Sequence, residues 1–282
     1  MTESEDDAAI ELDDLTMAGQ VLFALAKDIP TPDPDNVPEV SYLALLGIRA
    51  VSLYENYLHS RSSPAPLGRL IAIRPLVELA ILTKWISLDP TFHGELWMAD
   101  SEAAELTQIK HVTDHLKNRG NHPQQPDTEG IARKEALRDE AKAKLKAASR
   151  NYGNRLIPTV IRMVEEVEKE VPGHKIAMRD AYELAYRTFS PWEHTDASSY
   201  KASAERSDID DFTFLGDRSP FHSEDIDAIA TSMFAYVLES VLTGAQIGDP
   251  KMARFVRDFV TQHWVRSDRV QPPDDRGKGH GT

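Results

Sequence analysis

The residue types best suited to chemistry gather in one short segment that begins at Arg187 and ends at His194. Ser190, Pro191 and Glu193 form the S-P-x-E pattern of a helix start, in which serine is the N-cap, proline opens the helix and glutamate closes a capping box. Ser190 is therefore predicted to be a structural cap. This geometry places His194 in the first turn of a new helix and Arg187 at the end of the preceding one, so the two can converge. Imidazole titrates near neutral pH, and a guanidinium can donate two parallel hydrogen bonds to a phosphate. The two residues together therefore suit acid–base chemistry beside a phosphate group.

A second pair of polar residues, Arg74 and Glu78, stands in the most apolar stretch of the chain, residues 67–88. Residues four apart share a helix face, so these two side chains can pair. A helix that is apolar all round is expected to be central and buried, and a buried charge is costly unless other groups satisfy it. The pair is therefore either an internal ion pair that fixes helix packing or part of a polar site that lines a pocket.

The bend at Ser190 is the expected source of further polar partners. One glutamate can satisfy only part of the five donors of Arg74, so something polar must come from another helix. We predict one cluster with binding residues Arg74, Glu78 and Ser190 and catalytic residues Arg187 and His194.

Two resemblances rest on these residues. Arg187 and His194, with six residues between them, resemble the Arg-x(4–6)-His signature of the HEPN superfamily of helical nucleases. That resemblance implies that His194 is a general acid or base near a ribose 2′-hydroxyl, that Arg187 steadies phosphate charge, and that the site lies at a dimer interface. The sequences at 74–78 and 190–194 resemble more closely the R-x-x-x-E and S-x-x-x-H signatures of a bacterial, all-helical domain-of-unknown-function family, family 5677. This likeness spans about residues 42–247 and implies a helical fold that pairs Arg74 and Glu78 with Ser190 and His194, with no established activity.

Two further patterns have plain interpretations. His111 and His115 are four apart, a spacing that could hold a metal, but they lie off the apolar stripe and a solvated helix face is the better interpretation, so no metal site is predicted. The stretch from Arg133 to Arg150 is the one basic segment. It could follow phosphates, although a solvated helix explains it as well.

The elements that position these residues are predicted to be helices, because apolar residues recur at spacings of three and four. Helices are expected at about residues 14–28, 39–61, 67–88 and 92–118, through Ile161–Val167 and Met178–Phe189, after Ser190, and at 223–247 and 251–264; residues 209–215 could be extended. The predicted fold is an all-α, irregular bundle of about eight to ten helices around a buried central helix. It forms one domain at 14–266, between a disordered acidic arm at 1–13 and a disordered tail at 267–282.

Composition excludes several classes of function. The net charge is −14, and seven acidic residues precede the first basic one, which argues against general affinity for nucleic acid or an anionic membrane. The absence of cysteine excludes disulfides, thiolate metal sites and catalytic thiols. The absence of a positively charged leader and of an uninterrupted apolar span predicts a cytoplasmic protein with no membrane partner. Phosphate-loop, HExxH and G-x-S-x-G motifs are missing, and no cofactor is indicated.

Two functions remain open after these exclusions. One is a non-catalytic scaffold or ligand-binding protein in which the polar residues join the helices. The other is a metal-independent RNA-cleaving or RNA-binding protein, such as a toxin or phage-defence effector, that uses Arg187 and His194. Under the second interpretation RNA is the partner and a homodimer is expected.

Overall fold

The computed structural model describes residues 17–22, 24–27, 29, 41–61, 66–119, 128–170, 175–186, 204–206, 212–214, 223–245 and 248–266. Over these ranges the fold is all-α, which confirms the predicted class, with one pair of three-residue strands. The predicted helix after Ser190 and the predicted terminal arms lie outside the described residues.

The helices follow the predicted stripes to within a few residues. The elements are, in chain order, α1 at residues 17–22 and 24–26, α2 (Ser41–Arg61), α3 (Pro66–Leu88), α4 (Pro90–Asn118), α5 (Thr128–Ala147), α6 (Val160–Glu170), α7 (Lys175–Asp180), a π-helical segment (Ala181–Tyr186), β1 (Ala204–Arg206), β2 (Phe212–Phe214), α8 (Ser223–Ala245) and α9 (Pro250–Arg266). The strands pair antiparallel, with Ala204 opposite Phe214, so part of the predicted extended piece is confirmed.

The core is built around α8, in which every residue from 226 to 242 is buried. This helix packs against α2, α3 and α9. Its polar side chains find partners there: the Tyr57 hydroxyl donates to Asp227, and the Tyr54 and Thr231 hydroxyls are 2.8 Å apart. α3, which the sequence predicted as the buried central helix, packs against α2, α4, α6, α8 and the π-helical segment, and one strip of it faces a cleft.

One described helix, at Ile226–Ala245, has the length and apolar composition of a membrane span. Since 83% of the tested stretch is buried inside the fold, it has the environment of a core helix in a soluble protein.

Helices α4 and α5 form a long hairpin beside this core. Asp89 caps α4 by accepting a hydrogen bond from the Phe92 amide at 3.1 Å, so α4 begins directly after α3. α5 packs chiefly on α4, through ion pairs such as Lys144 with Glu95 at 2.5 Å. An irregular loop, residues 148–159, then leads back to α6 against α3.

Candidate functional site

Arg74 lies against the π-helical segment. Its guanidinium carbon is 4.7 Å from the centre of the Tyr186 ring, and its Nη2 donates a hydrogen bond of 3.3 Å to the Tyr186 hydroxyl. Tyr186 stacks on Tyr182, with ring centres 5.3 Å apart. Short π-helical turns are frequent at functional sites, because the wider turn redirects side chains.

Glu78 is exposed, which does not agree with the first of the two interpretations of the Arg74–Glu78 pair, an internal ion pair. α3 packs against α2, α6 and α8, but the strip of α3 that carries Glu78 and Leu82 faces a cleft, where water can solvate the carboxylate. For Glu78 the structure therefore agrees with the alternative interpretation, in which the residue lines a pocket.

The cleft lies between α3, α4, the start of α6 and the π-helical segment, and it holds about 390 Å³. Three aromatic side chains form part of its wall: Trp97, Tyr182 and Tyr186. Its charged lining groups are Glu78 and Arg155, and neither forms an ion pair within the described part of the chain. The cleft therefore offers the Glu78 carboxylate as a charged hydrogen-bond acceptor, the Arg155 guanidinium as a charged donor, and flat aromatic surfaces.

Arg187, Ser190 and His194 lie outside the described residues, so the predicted five-residue cluster stays a prediction. Tyr186 is the last described residue before them. Of the predicted site residues, the structure places Arg74 on Tyr186 and Glu78 in the adjoining cleft, whose lining includes Tyr186.

A second polar group, which sequence reasoning missed, joins three elements around His93. The buried His93 ring stacks on Trp85 at 4.0 Å, and its Nε2 is 2.7 Å from Arg150 Nη1. Arg150 also lies 3.6 Å from Glu166, which accepts a hydrogen bond of 2.8 Å from the Trp85 indole. The Tyr152 hydroxyl lies 3.2 Å from the same carboxylate. The turn residues at 149–154 were the available signal for this loop.

The surroundings of His93 define its protonation state. Burial, and secondarily the Arg150 cation, lower the pKa of His93 below the ordinary 6.5, although its bond to the Trp85 carbonyl opposes this. A neutral ring has one N–H, and Nδ1 lies 2.7 Å from the Trp85 carbonyl oxygen, which can only accept. Nδ1 therefore carries the proton, and Nε2 accepts a hydrogen bond from Arg150. His93 thus fixes the position of the Arg150 guanidinium.

Among the described residues, no group of three histidine, aspartate or glutamate side chains is arranged to hold a metal ion. His111 and His115 are both exposed on α4, as the solvated-face interpretation expects.

Comparison with known proteins assigns the chain to a family whose function is unknown. The model of a family described as "Family of unknown function (DUF5677)" matches residues 42–212, more than half of the chain. The matched range contains Arg74, Glu78, the π-helical segment and the His93 network. No curated protein and no solved structure matches the chain.

Proposed function

The chain belongs to the family of unknown function DUF5677, and we propose that it is a ligand-binding protein whose cleft takes a small planar ring that bears amino groups. The observation that carries this proposal is the presence of Glu78 and Arg155, without ion-pair partners in the described part of the chain, in a cleft walled by aromatic rings. A volume of about 390 Å³ lies in the range of small-molecule sites.

The chemistry of the lining selects the ligand class. Aromatic walls favour a flat ring, because offset stacking adds to the area it buries. The Glu78 carboxylate is an acceptor only, so the ring must present N–H donors to it. Arg155 lies on the loop side of the cleft and suits a carbonyl oxygen or an anionic substituent.

Calorimetric titration with guanosine tests this proposal, since the guanine edge presents an N–H and an amino group side by side to a carboxylate. We expect the wild type to bind guanosine and the Glu78→Gln variant to bind it about tenfold or more weakly, because a hydrogen bond to a charged group is lost. Glu78 is exposed, so the substitution should leave the fold intact.

The matched control is Glu170→Gln, which removes the same charge from an exposed position at the end of α6, outside the cleft lining. The proposal is wrong if guanosine does not bind, or if the Glu78→Gln and Glu170→Gln variants bind it with equal affinity.

RNA cleavage by Arg187 and His194 is the alternative proposal. The observation in its favour is that the Arg74 guanidinium lies over the ring of Tyr186, the residue that precedes Arg187 in the sequence. Arg74 would thus add a further positive charge to those of Arg187 and a protonated His194. The RNA-cleavage proposal includes a homodimer and a cytoplasmic location. Its test is cell toxicity and RNA cleavage by the wild type against His194→Ala; equal activity of the two proteins would exclude this use of His194.

A further inference from the structure

The loop that follows α5 encloses a basic concavity of about 660 Å³. Among the described residues its lining contains no carboxylate, and the charged and amide side chains there are Lys142, Lys146, Arg150, Arg155, Asn151 and Asn154. We propose that this concavity binds the phosphate groups of a small phosphorylated molecule. The inference goes beyond the proposed cleft ligand and does not rest on it, although Arg155 lines both spaces.

The basic residues of α5 divide into two sets. On the side toward α4, Lys134 pairs with Glu102 and Glu105, and Lys144 pairs with Glu95. Lys142 and Lys146, which line the concavity, have no ion pair within the part of the chain that the structure describes. Like charges four apart on a helix repel each other, so an anion between them would relieve a cost that the folded chain otherwise bears.

Arg150 brings a cation that is already held in place. Its hydrogen bonds to His93 and Tyr152 and its ion pair with Glu166 all use Nη1, and its guanidinium lies 5.3 Å from the centre of the Phe92 ring. Within the described part of the chain, Nε and Nη2 are therefore available to an oxyanion. Their N–H groups lie side by side and can donate two parallel hydrogen bonds to a phosphate. Because neutral His93 fixes this arrangement, little side-chain ordering is needed on binding.

The size and charge of the protein favour a small phosphorylated molecule over a nucleic acid. The whole chain carries a net charge of −14, which repels a long polyanion at a distance, whereas the concavity concentrates four cations around a space for a small molecule. A diphosphate group can meet two or more of these cations at once. Ser149 and Gly153, which both line this space, have positive φ, 54° and 72°.

Titration calorimetry of the full chain with inorganic pyrophosphate at low ionic strength tests the proposal. We expect the wild type to bind, and the double variant Lys142→Gln/Lys146→Gln to bind about tenfold or more weakly, because each lysine contributes a charge-assisted contact. Both side chains are exposed, so the fold should persist, which circular dichroism verifies. The control is Lys117→Gln, an exposed lysine at the far end of the α4–α5 hairpin, which should change affinity by less than about twofold.

Three outcomes would overturn the inference. They are absence of pyrophosphate binding, equal affinity of the double variant and the control, and a single-stranded RNA that binds through the same lysines much more tightly than pyrophosphate. The last outcome would mark a polyanion surface instead. Because Lys142 and Lys146 do not line the cleft of Glu78, guanosine binding should be unchanged in the double variant, so the two proposals fail separately.

Discussion

At the scale of single residues, His93 links the helical core to the basic loop. It is only 2% exposed, and it uses one nitrogen to donate to the end of α3 and the other to accept from Arg150. Only the contact with Arg150 requires a neutral ring, because a protonated Nε2 cannot accept a hydrogen bond. Protonation would place a second cation 2.7 Å from the guanidinium, in surroundings that solvate charge poorly.

The stability of the protein should therefore fall in acid because of His93. Its pKa is lowered by burial in the folded state, so below about pH 6.5 the unfolded chain takes up a proton that the folded chain does not. The contribution of His93 to stability is fully present above about pH 6.5. It is lost as the pH falls toward the lowered pKa of His93 in the folded state. Urea unfolding from pH 8 to pH 5 should show this loss, with a slope of at most about 1.4 kcal/mol per pH unit for one proton.

Two variants separate His93 from other titrating groups. His93→Gln should lower stability at pH 8 and flatten the acid slope, because the titrating ring is gone. His111→Gln, at an exposed position on α4, should leave both unchanged. An acid slope that is the same in all three proteins would show that His93 does not cause it.

Spacing along the chain revealed some of these residues and hid others. Arg74 and Glu78 stood out because a charge in an apolar helix is unusual; Glu78 does line the cleft, and Arg74 contacts Tyr186, which lines it too. Partners that are distant in sequence, such as His93 and Arg150, leave no periodic signal. The sequence left open whether Glu78 is buried, because hydropathy reports the average surroundings of a helix and not a gap between its neighbours.

At the scale of elements, the end of α5 is held by a serine where glycine is usual. The Arg150 amide donates to the Leu145 carbonyl and the Ser149 amide to the Lys146 carbonyl, the pattern of a Schellman C-cap. Its left-handed position falls on Ser149, at φ 54°. The sequence could not predict this end, because α5 and the following basic residues form one continuous helical composition.

Ser149→Gly should therefore stabilise the protein by roughly 0.5 to 1 kcal/mol, since glycine adopts this φ without strain and the gain exceeds its added unfolded-state entropy. Gly153→Ala gives the opposite test in the same loop. Gly153 has φ 72° and open space around its α-carbon, so the backbone alone should cost roughly 1 kcal/mol. Melting temperatures that move in the same direction for both variants would contradict this account.

A buried ion pair joins α8 to α9. Glu239 and Arg257 are 2% and 7% exposed and pair directly, and Arg254 adds a contact of 3.2 Å to the same carboxylate. Glu239→Gln should lower the free energy of unfolding by about 3 kcal/mol, because it leaves the buried Arg257 guanidinium with only the half-exposed Asp258 as a counter-charge.

The control for this pair is Asp258→Asn. Asp258 contacts the same guanidinium at 2.5 Å but is half exposed, so its loss should cost less than about 1 kcal/mol in urea unfolding. Replacing both partners, as Glu239→Leu with Arg257→Met, should cost less than Glu239→Gln alone. Equal losses for Glu239→Gln and Asp258→Asn would mean that burial does not govern the strength of these contacts.

At the scale of the whole molecule, burial is distributed very unevenly among the helices. α8 is buried along its whole central length, whereas α5 contributes only Ala141 and Leu145 to the buried set and packs chiefly on α4. Composition accounts for part of this contrast, because α8 is mostly apolar and α5 is mostly Ala, Lys, Arg and Glu. The His93 network, which joins the loop after α5 to α3, α4 and α6, could not be predicted, because its residues lie far apart in sequence.

Local opening should follow the same gradient, because the cost of exposing a helix rises with the apolar area that it buries. Hydrogen exchange followed by mass spectrometry should find the slowest amides in residues 226–242 and the facing part of α3, and faster exchange along 128–147. The comparison within one chain removes differences in solvent and temperature. Exchange in α5 as slow as in α8 would contradict this order and would require a further surface that covers α5. Fast exchange there is compatible with the phosphate proposal, since Arg150, anchored through His93 to the slower core, would keep its place while α5 opens.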